Sequence, residues 1–202
     1  MKFDIILAGV GGQGVLSMSA VIAGATARVG WQVKQSEVHG MAQRGGAVLA
    51  HLRMAEGPVY SDLIPRGRAD LILSLEPMES LRYLEYLSST GTVATAVEPV
   101  RNIDDYPDLD GLLAAIRAIP SSILVEAGDL AKQAGNVKTA NMVMVGAVAH
   151  LLPVTEEALG AEIRRAFGGR GDKLFDANLK AFRLGRTVRT GTGSPPAGST
   201  TA

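Results

Sequence analysis

Ten consecutive residues, Glu37-Val38-His39-Gly40-Met41-Ala42-Gln43-Arg44-Gly45-Gly46, concentrate the reactive side chains of this chain. A carboxylate, an imidazole, a carboxamide and a guanidinium stand among three glycines, which keep the backbone supple. His39 has the chemistry of a general acid or base. Arg44, followed by two glycines, can present its planar fork to a carboxylate or a phosphate. The same guanidinium would equally serve an ion pair between subunits. Polar groups on a glycine-rich loop at a strand end are where α/β proteins place their sites.

A second pattern lies upstream. Gly9, Gly11 and Gly14 satisfy G-x-G-x-x-G directly after the apolar run Phe3-Asp4-Ile5-Ile6-Leu7-Ala8. Amides at a helix N-terminus attract phosphate, so these glycines are candidates for binding a dinucleotide. Glu37 then falls about twenty residues on, where an acid would hold a ribose. The plainer reading is that the glycines allow close strand–helix packing. Glu76 and Glu79, around Pro77, form another acidic candidate, though helix capping would use them as well. His51 sits mid-strand and His150 in an apolar segment, and no two histidines share a ligand spacing, so no metal site is expected.

Composition narrows the chemistry. With 202 residues, 47% of them hydrophobic, the chain suits one domain with a full core. Aromatics are only 4%, so that core must be aliphatic. Twenty basic and twenty acidic residues cancel, which gives no electrostatic footprint for nucleic acid. Cysteine is absent. That excludes disulfides, thiolate zinc, a cysteine nucleophile and any iron–sulfur cluster held by this chain. Residues 5–27 carry no charge, a length that could span a bilayer. Four glycines with Gln13 and Ser17 interrupt the run, and strand–turn–helix explains it better. Asp4 stands where a signal peptide would be basic, so a cytoplasmic protein with no membrane contact is expected.

The elements that must position these residues alternate. Strands are expected at residues 3–8, 31–36, 46–54, 70–74, 92–96 and 122–126, with helices at 13–28, from Pro77 and at 109–119. Val59-Tyr60-Ser61 reads as the hairpin partner of the third strand, across a turn at Glu56-Gly57-Pro58. Alternation of this kind argues for a Rossmann-like, doubly wound α/β fold with a mostly parallel sheet. After Gly128 only helices are expected. The charge-free stretch 139–152 reads as a helix buried on every side, for which a subunit contact would supply the missing cover. Thr155-Glu156-Glu157 opens another helix, and a last amphipathic one covers 172–184. Residues 1–186 thus form the domain, and 187–202, rich in Gly, Ser, Thr and Pro, form an expected disordered tail.

Three segments together carry a family resemblance: Gly9-Val10-Gly11-Gly12-Gln13-Gly14-Val15-Leu16, Ser36 to Gly46, and Asn141-Met142-Val143-Met144-Val145-Gly146-Ala147. They resemble the gamma-type module of the 2-oxoacid:ferredoxin oxidoreductases, most of all members acting on indolepyruvate. The likeness covers roughly residues 1–186, with the motifs in family order. The resemblance implies an accessory subunit of a two-subunit enzyme that decarboxylates an aryl pyruvate oxidatively. The acyl group would pass to coenzyme A and the electrons to ferredoxin. It places thiamine diphosphate, magnesium and the iron–sulfur clusters on a large alpha subunit and no cofactor on this chain. The residues agree, since cysteine is absent and no Gly-Asp-Gly segment is followed by the Asn of a thiamine diphosphate motif. No catalytic residue is carried over. Glu37, His39, Gln43 and Arg44 become candidates for a loop facing the partner or the substrate. A stand-alone NAD(P)-binding Rossmann oxidoreductase is the alternative reading.

Overall fold

The computed structural model describes residues 1–39, 45–101 and 103–188. Six strands and seven α-helices succeed one another as β1 (Lys2–Val10), α1 (Val15–Arg28), β2 (Gln32–His39), β3 (Ala47–Ala55), β4 (Ala69–Ser74), α2 (Pro77–Arg82), β5 (Leu87–Ala96), α3 (Leu109–Arg117), β6 (Ser122–Val125), α4 (Ala127–Ala134), α5 (Ala140–Val148), α6 (Glu156–Phe167) and α7 (Asp172–Gly185). The strand order is β2-β3-β1-β4-β5-β6. β1, β4, β5 and β6 pair in parallel, while β3 runs antiparallel to both β1 and β2. The sheet is therefore mostly parallel with one reversed strand inside it.

That reversed strand overturns one expectation. Val59, Tyr60 and Ser61 form no strand, because both edges of β3 are already taken. Register runs from Lys2 opposite Ala55 to Val10 opposite Ala47 on one side, and from Gln32 opposite Ala55 to His39 opposite Val48 on the other. The 59–63 segment is clasped by side chains instead. Lys34 Nζ donates to the Tyr60 carbonyl at 3.1 Å, and Arg53 Nη1 donates to those of Ser61 and Leu63 at 3.2 and 3.0 Å. Arg53 is held in turn by Asp4, which is almost fully buried, with Nε to Oδ1 at 3.0 Å. β2 also runs three residues beyond its expected end, so Glu37 and Val38 belong to a strand rather than a loop.

Alternation along the central strands divides the core. Ile5, Leu7, Leu71, Leu73, Ala94 and Ala96 face a large cluster shared with α1 and α4 to α7. Ile6, Ile72 and Val93 face a smaller one closed by Leu113 and Ile116 of α3. Both faces are covered, which is why these strands read as unbroken apolar runs.

α5 is buried at every position from Asn141 to Val148. The cover comes from the same chain, not from a second subunit. α7 lies so close that a Cβ on Gly146 would sit 2.1 Å from the Phe182 carbonyl oxygen, and one on Gly185 would sit 2.0 Å from that of Val143. Two glycines thus let the helix backbones touch. α6 docks on α1 through buried Glu162, which accepts from Arg28 Nη2 at 2.6 Å and Arg165 Nε at 2.5 Å. Burial works to raise the pKa of Glu162, but hydrogen bonds and charge from Arg165 and Arg28 outweigh it and hold the carboxyl below its ordinary range. Thr155 caps α6 as expected, its Oγ1 accepting from the Ala158 amide at 3.2 Å.

Candidate functional site

The glycine turn between β1 and α1 is the point where all three family-like segments meet. Gly11 donates its amide to the Gly46 carbonyl at 2.8 Å and accepts from the Gly45 amide at 3.4 Å. On the other side, Asn141 Nδ2 at the start of α5 donates to the Gly14 carbonyl at 3.3 Å. Segments more than thirty and more than a hundred residues apart are thereby tied to one four-residue turn, as the intervening positions show.

Gly9 and Gly14 each have an intramolecular reason to lack a side chain. A Cβ on Gly9 would lie 2.9 Å from Gln13 Oε1 and 2.9 Å from Val15 Cγ2. Gly14 adopts φ +90°, a conformation that L side chains rarely enter, and its Cβ would meet Asn141 Nδ2 at 2.6 Å. Gly11 is engaged by the Gly45–Gly46 root just described. Three amides at the strand end and turn are already engaged. Besides the Gly11 amide, the Val10 amide goes to Gln13 Oε1 at 2.7 Å and the Gln13 amide to the Val10 carbonyl at 3.1 Å.

Glu37 does not stand beside this turn. β3 intervenes between β1 and β2, and the register sets Glu37 opposite Ala50, which faces Leu7 in the middle of β1. Two strand spacings of about 4.8 Å each separate it from β1. Glu37 is exposed on its strand, with Gln35 Nε2 donating to Oε2 at 3.3 Å. His39 closes β2. Gln43 and Arg44 lie outside the described residues.

Beside the turn opens a cavity of about 570 Å³ at the carboxyl ends of the parallel strands. This is the side of an α/β sheet on which ligands bind, at the point where strand order reverses around β1. Gln13, Asn141 and Asn178 line it together with Glu98, Lys138 and Phe167. Asn141 and Asn178 are almost wholly buried. Glu98 Oε1 accepts from the Gly128 amide at 2.7 Å, capping α4 from outside that helix. Of these wall residues only Gln13 and Asn141 drew attention in the sequence, both as members of the family-like segments. Gln13 stood in plain view inside the fingerprint, but a sequence pattern gives no sign that a carboxamide folds back between strand ends.

The other acidic and imidazole candidates are structural. Glu76 is fully buried and caps α2, accepting from the Glu79 amide at 2.8 Å. Its other oxygen receives the Tyr106 hydroxyl and the Val100 amide, so it ties down one lip of the cavity. Burial, then the Glu76 contact, pushes the Tyr106 phenol pKa up. Burial also raises the Glu79 carboxyl, while the Arg82 guanidinium opposes that shift from 3.1 Å. His51 Nδ1 accepts the Ile64 amide at 3.2 Å, and its ring meets Tyr86 edge-on at 5.3 Å. Burial lowers its pKa, as expected of an imidazole kept neutral by its place as an acceptor. Among the described residues no group of three or more His, Cys, Asp or Glu could hold a metal, and no helix is long and apolar enough to cross a membrane.

Fold and turn together define a Rossmann-like α/β module whose glycine fingerprint serves internal joints. The chain belongs to the pyruvate ferredoxin/flavodoxin oxidoreductase family, which it matches over residues 4–188. It is 37% identical to indolepyruvate oxidoreductase subunit IorB of Thermococcus kodakarensis, over 91% of this chain and 94% of that protein. The IorB subunit of Archaeoglobus fulgidus is 38% identical over 92% and 94%. Two solved structures share the fold. Pyruvate oxidoreductase subunit PORC of Thermotoga maritima superposes with a TM-score of 0.70 at 24% identity, over 91% of this chain and 94% of that one. The 2-oxoglutarate:ferredoxin oxidoreductase of Magnetococcus marinus gives 0.74 at 23% identity, over 93% of this chain but 31% of its own. The same fold therefore occurs both as a separate chain and as part of a longer one.

Proposed function

We propose that this chain is the accessory subunit of an indolepyruvate:ferredoxin oxidoreductase. The observation that carries the reading is the 36–38% identity, across almost the whole length of both partners, to four proteins named as IorB subunits. The reaction joins an aryl pyruvate and coenzyme A, releases carbon dioxide, and passes two electrons to ferredoxin. Aryl-acetyl-coenzyme A is the product. The residues of this chain do not fit the cofactors such chemistry needs. It has no cysteine for an iron–sulfur cluster and no Gly-Asp-Gly segment for the magnesium of thiamine diphosphate. Those groups belong to a large alpha subunit, through which ferredoxin would be reached, in a cytoplasmic complex.

Within that assembly the 37–46 segment, with Glu37, His39, Gln43 and Arg44, is assigned to the face toward the large subunit or its substrate. The domain is assigned to residues 1–186. The alternative, an independent NAD(P)-dependent oxidoreductase, is disfavoured by the spent amides of Val10, Gly11 and Gln13 and by the place of Glu37 on an outer strand. The deciding experiment is co-expression with the large subunit and measurement of viologen reduction dependent on indolepyruvate and coenzyme A. Activity of the pair supports the assignment. Tight NAD or NADP binding by this chain, measured by calorimetry, would overturn it.

A further inference from the structure

Pairing between β1 and β4 ends at Ala8 opposite Ser74, followed by one last bond from the Leu75 amide to the Ala8 carbonyl at 3.1 Å. Beyond that point the strand ends are bridged by a side chain. Gln13 Oε1 accepts from the Val10 amide at 2.7 Å, and Gln13 Nε2 donates to the Leu75 carbonyl at 2.8 Å. A primary carboxamide carries an acceptor and a donor arranged like a peptide group, so Gln13 extends the sheet by one surrogate rung. The rung lies where related folds admit a dinucleotide's pyrophosphate. Gly9 leaves the room it needs. Val10, which it anchors, precedes Gly11, and Gly11 holds both Gly45 and Gly46. Gln13 is also part of the cavity wall.

We infer that Gln13 is a positioning residue, which fixes the glycine turn and, through Gly11, holds Gly45 and Gly46 at the C-terminal root of the 37–46 segment. The inference rests on the assignment of that segment as the functional face of an accessory subunit. Asn141 supplies the opposite brace through the Gly14 carbonyl. The turn so braced sets where Gly45 and Gly46, the root on the β3 side, are held.

Gln13→Glu tests this, because it keeps the acceptor toward Val10 but sets a carboxylate oxygen against the Leu75 carbonyl. Only the protonated acid restores a donor there. Hydrogen exchange on the full chain, read by mass spectrometry and corrected for intrinsic rates, is compared in alkaline and mildly acidic buffer. Protection of the Gly11 and 45–48 amides is expected to fall about tenfold in alkaline buffer, the scale of one unsatisfied buried bond. It should recover toward wild type in acid, while α7 stays protected throughout. Gln13→Met fills the space without either bond and should lose protection at both pH values. In the reconstituted two-subunit enzyme, Gln13→Glu should raise the Michaelis constants or weaken assembly in alkaline buffer and recover in acid. Wild-type protection in Gln13→Glu at both pH values would overturn the inference. So would a loss spread equally into α7, which marks general destabilisation. Absence of oxoacid-dependent activity in the wild-type pair would sink the functional assignment alone, since the exchange result is independent of it.

Discussion

Gly14 illustrates how a single position answers two demands at once. Its φ of +90° and the Asn141 amide 2.6 Å from any added Cβ each exclude a side chain. Gly14→Val is therefore expected to cost about 1–3 kcal/mol or more through overpacking, before backbone strain is added. Thermal unfolding should show the loss, and NAD titrations should give the same result for the variant as for wild type. An unchanged melting temperature would contradict the packing account. His51 makes a second prediction at this scale. Its pKa is lowered from 6.5 by burial, so the unfolded chain binds the proton more readily than the folded one. Stability is then fully present above pH 6.5 and declines as pH falls through that value toward the lowered pKa. His51→Phe should flatten this part of the pH–stability curve, whatever it does to stability at neutral pH. At this scale the sequence disclosed which residues gather but not why. The turn glycines were legible as a pattern, whereas their neighbours Gln13 and Asn141 are set by contacts across 62 and 127 residues.

The pair α5 and α7 shows the same logic between elements. Within the charge-free stretch 139–152, the helix Ala140–Val148 is buried from Asn141 on, as its composition predicts, while His150 beyond it is exposed. What the sequence hides is its cover, because the glycine that receives α7 is visible only when both helices are in place. Gly146→Ala drives a methyl to 2.1 Å from the Phe182 carbonyl oxygen, and neither backbone can yield cheaply. The expected loss is about 1–3 kcal/mol or greater. Gly160 in α6 is the control, since a Cβ there meets nothing within 4 Å. Gly160→Ala should stabilise by about 0.5–1 kcal/mol through helix propensity. Urea denaturation of the two variants should move the midpoints in opposite directions, and a shared direction would refute the close-contact reading. The misreading of Val59-Tyr60-Ser61 as the partner of β3 has an equally local cause. Glu56-Gly57-Pro58 has the composition of a hairpin turn, but Val59 to Ser61 cannot pair with a strand whose two edges are taken by β1 and β2.

For the whole molecule, the absence of cysteine and of a thiamine diphosphate motif sets a firm expectation. The purified chain should be colourless and inert, and oxoacid-dependent viologen reduction should appear only on mixing with the large subunit. Activity from this chain alone would defeat the accessory assignment. Arg44→Ala is expected to weaken that complex, by about 2–5 kcal/mol where it strands a buried partner charge. Gel filtration reads assembly, and kinetics with varied coenzyme A read the competing outcome, an intact complex with a raised Michaelis constant. Wild-type assembly together with wild-type kinetics would show that Arg44 serves neither role.

The reversed β3 also governs how the chain comes together in time. β1 precedes both of its partners in the chain, and they arrive late, since Lys2 awaits Ala55 and Ile5 awaits Leu71. At translation rates of about 5–20 residues per second, β1 stands without a neighbour on either edge for a period on the order of seconds. α1 can shield one of its faces meanwhile, but the row of unpaired amides remains open to any other nascent strand. β2 and β3, adjacent in sequence, can zip up as a hairpin first and then capture β1 as a unit. The segment richest in functional groups would thus be shaped at its roots before the sheet that supports it is complete.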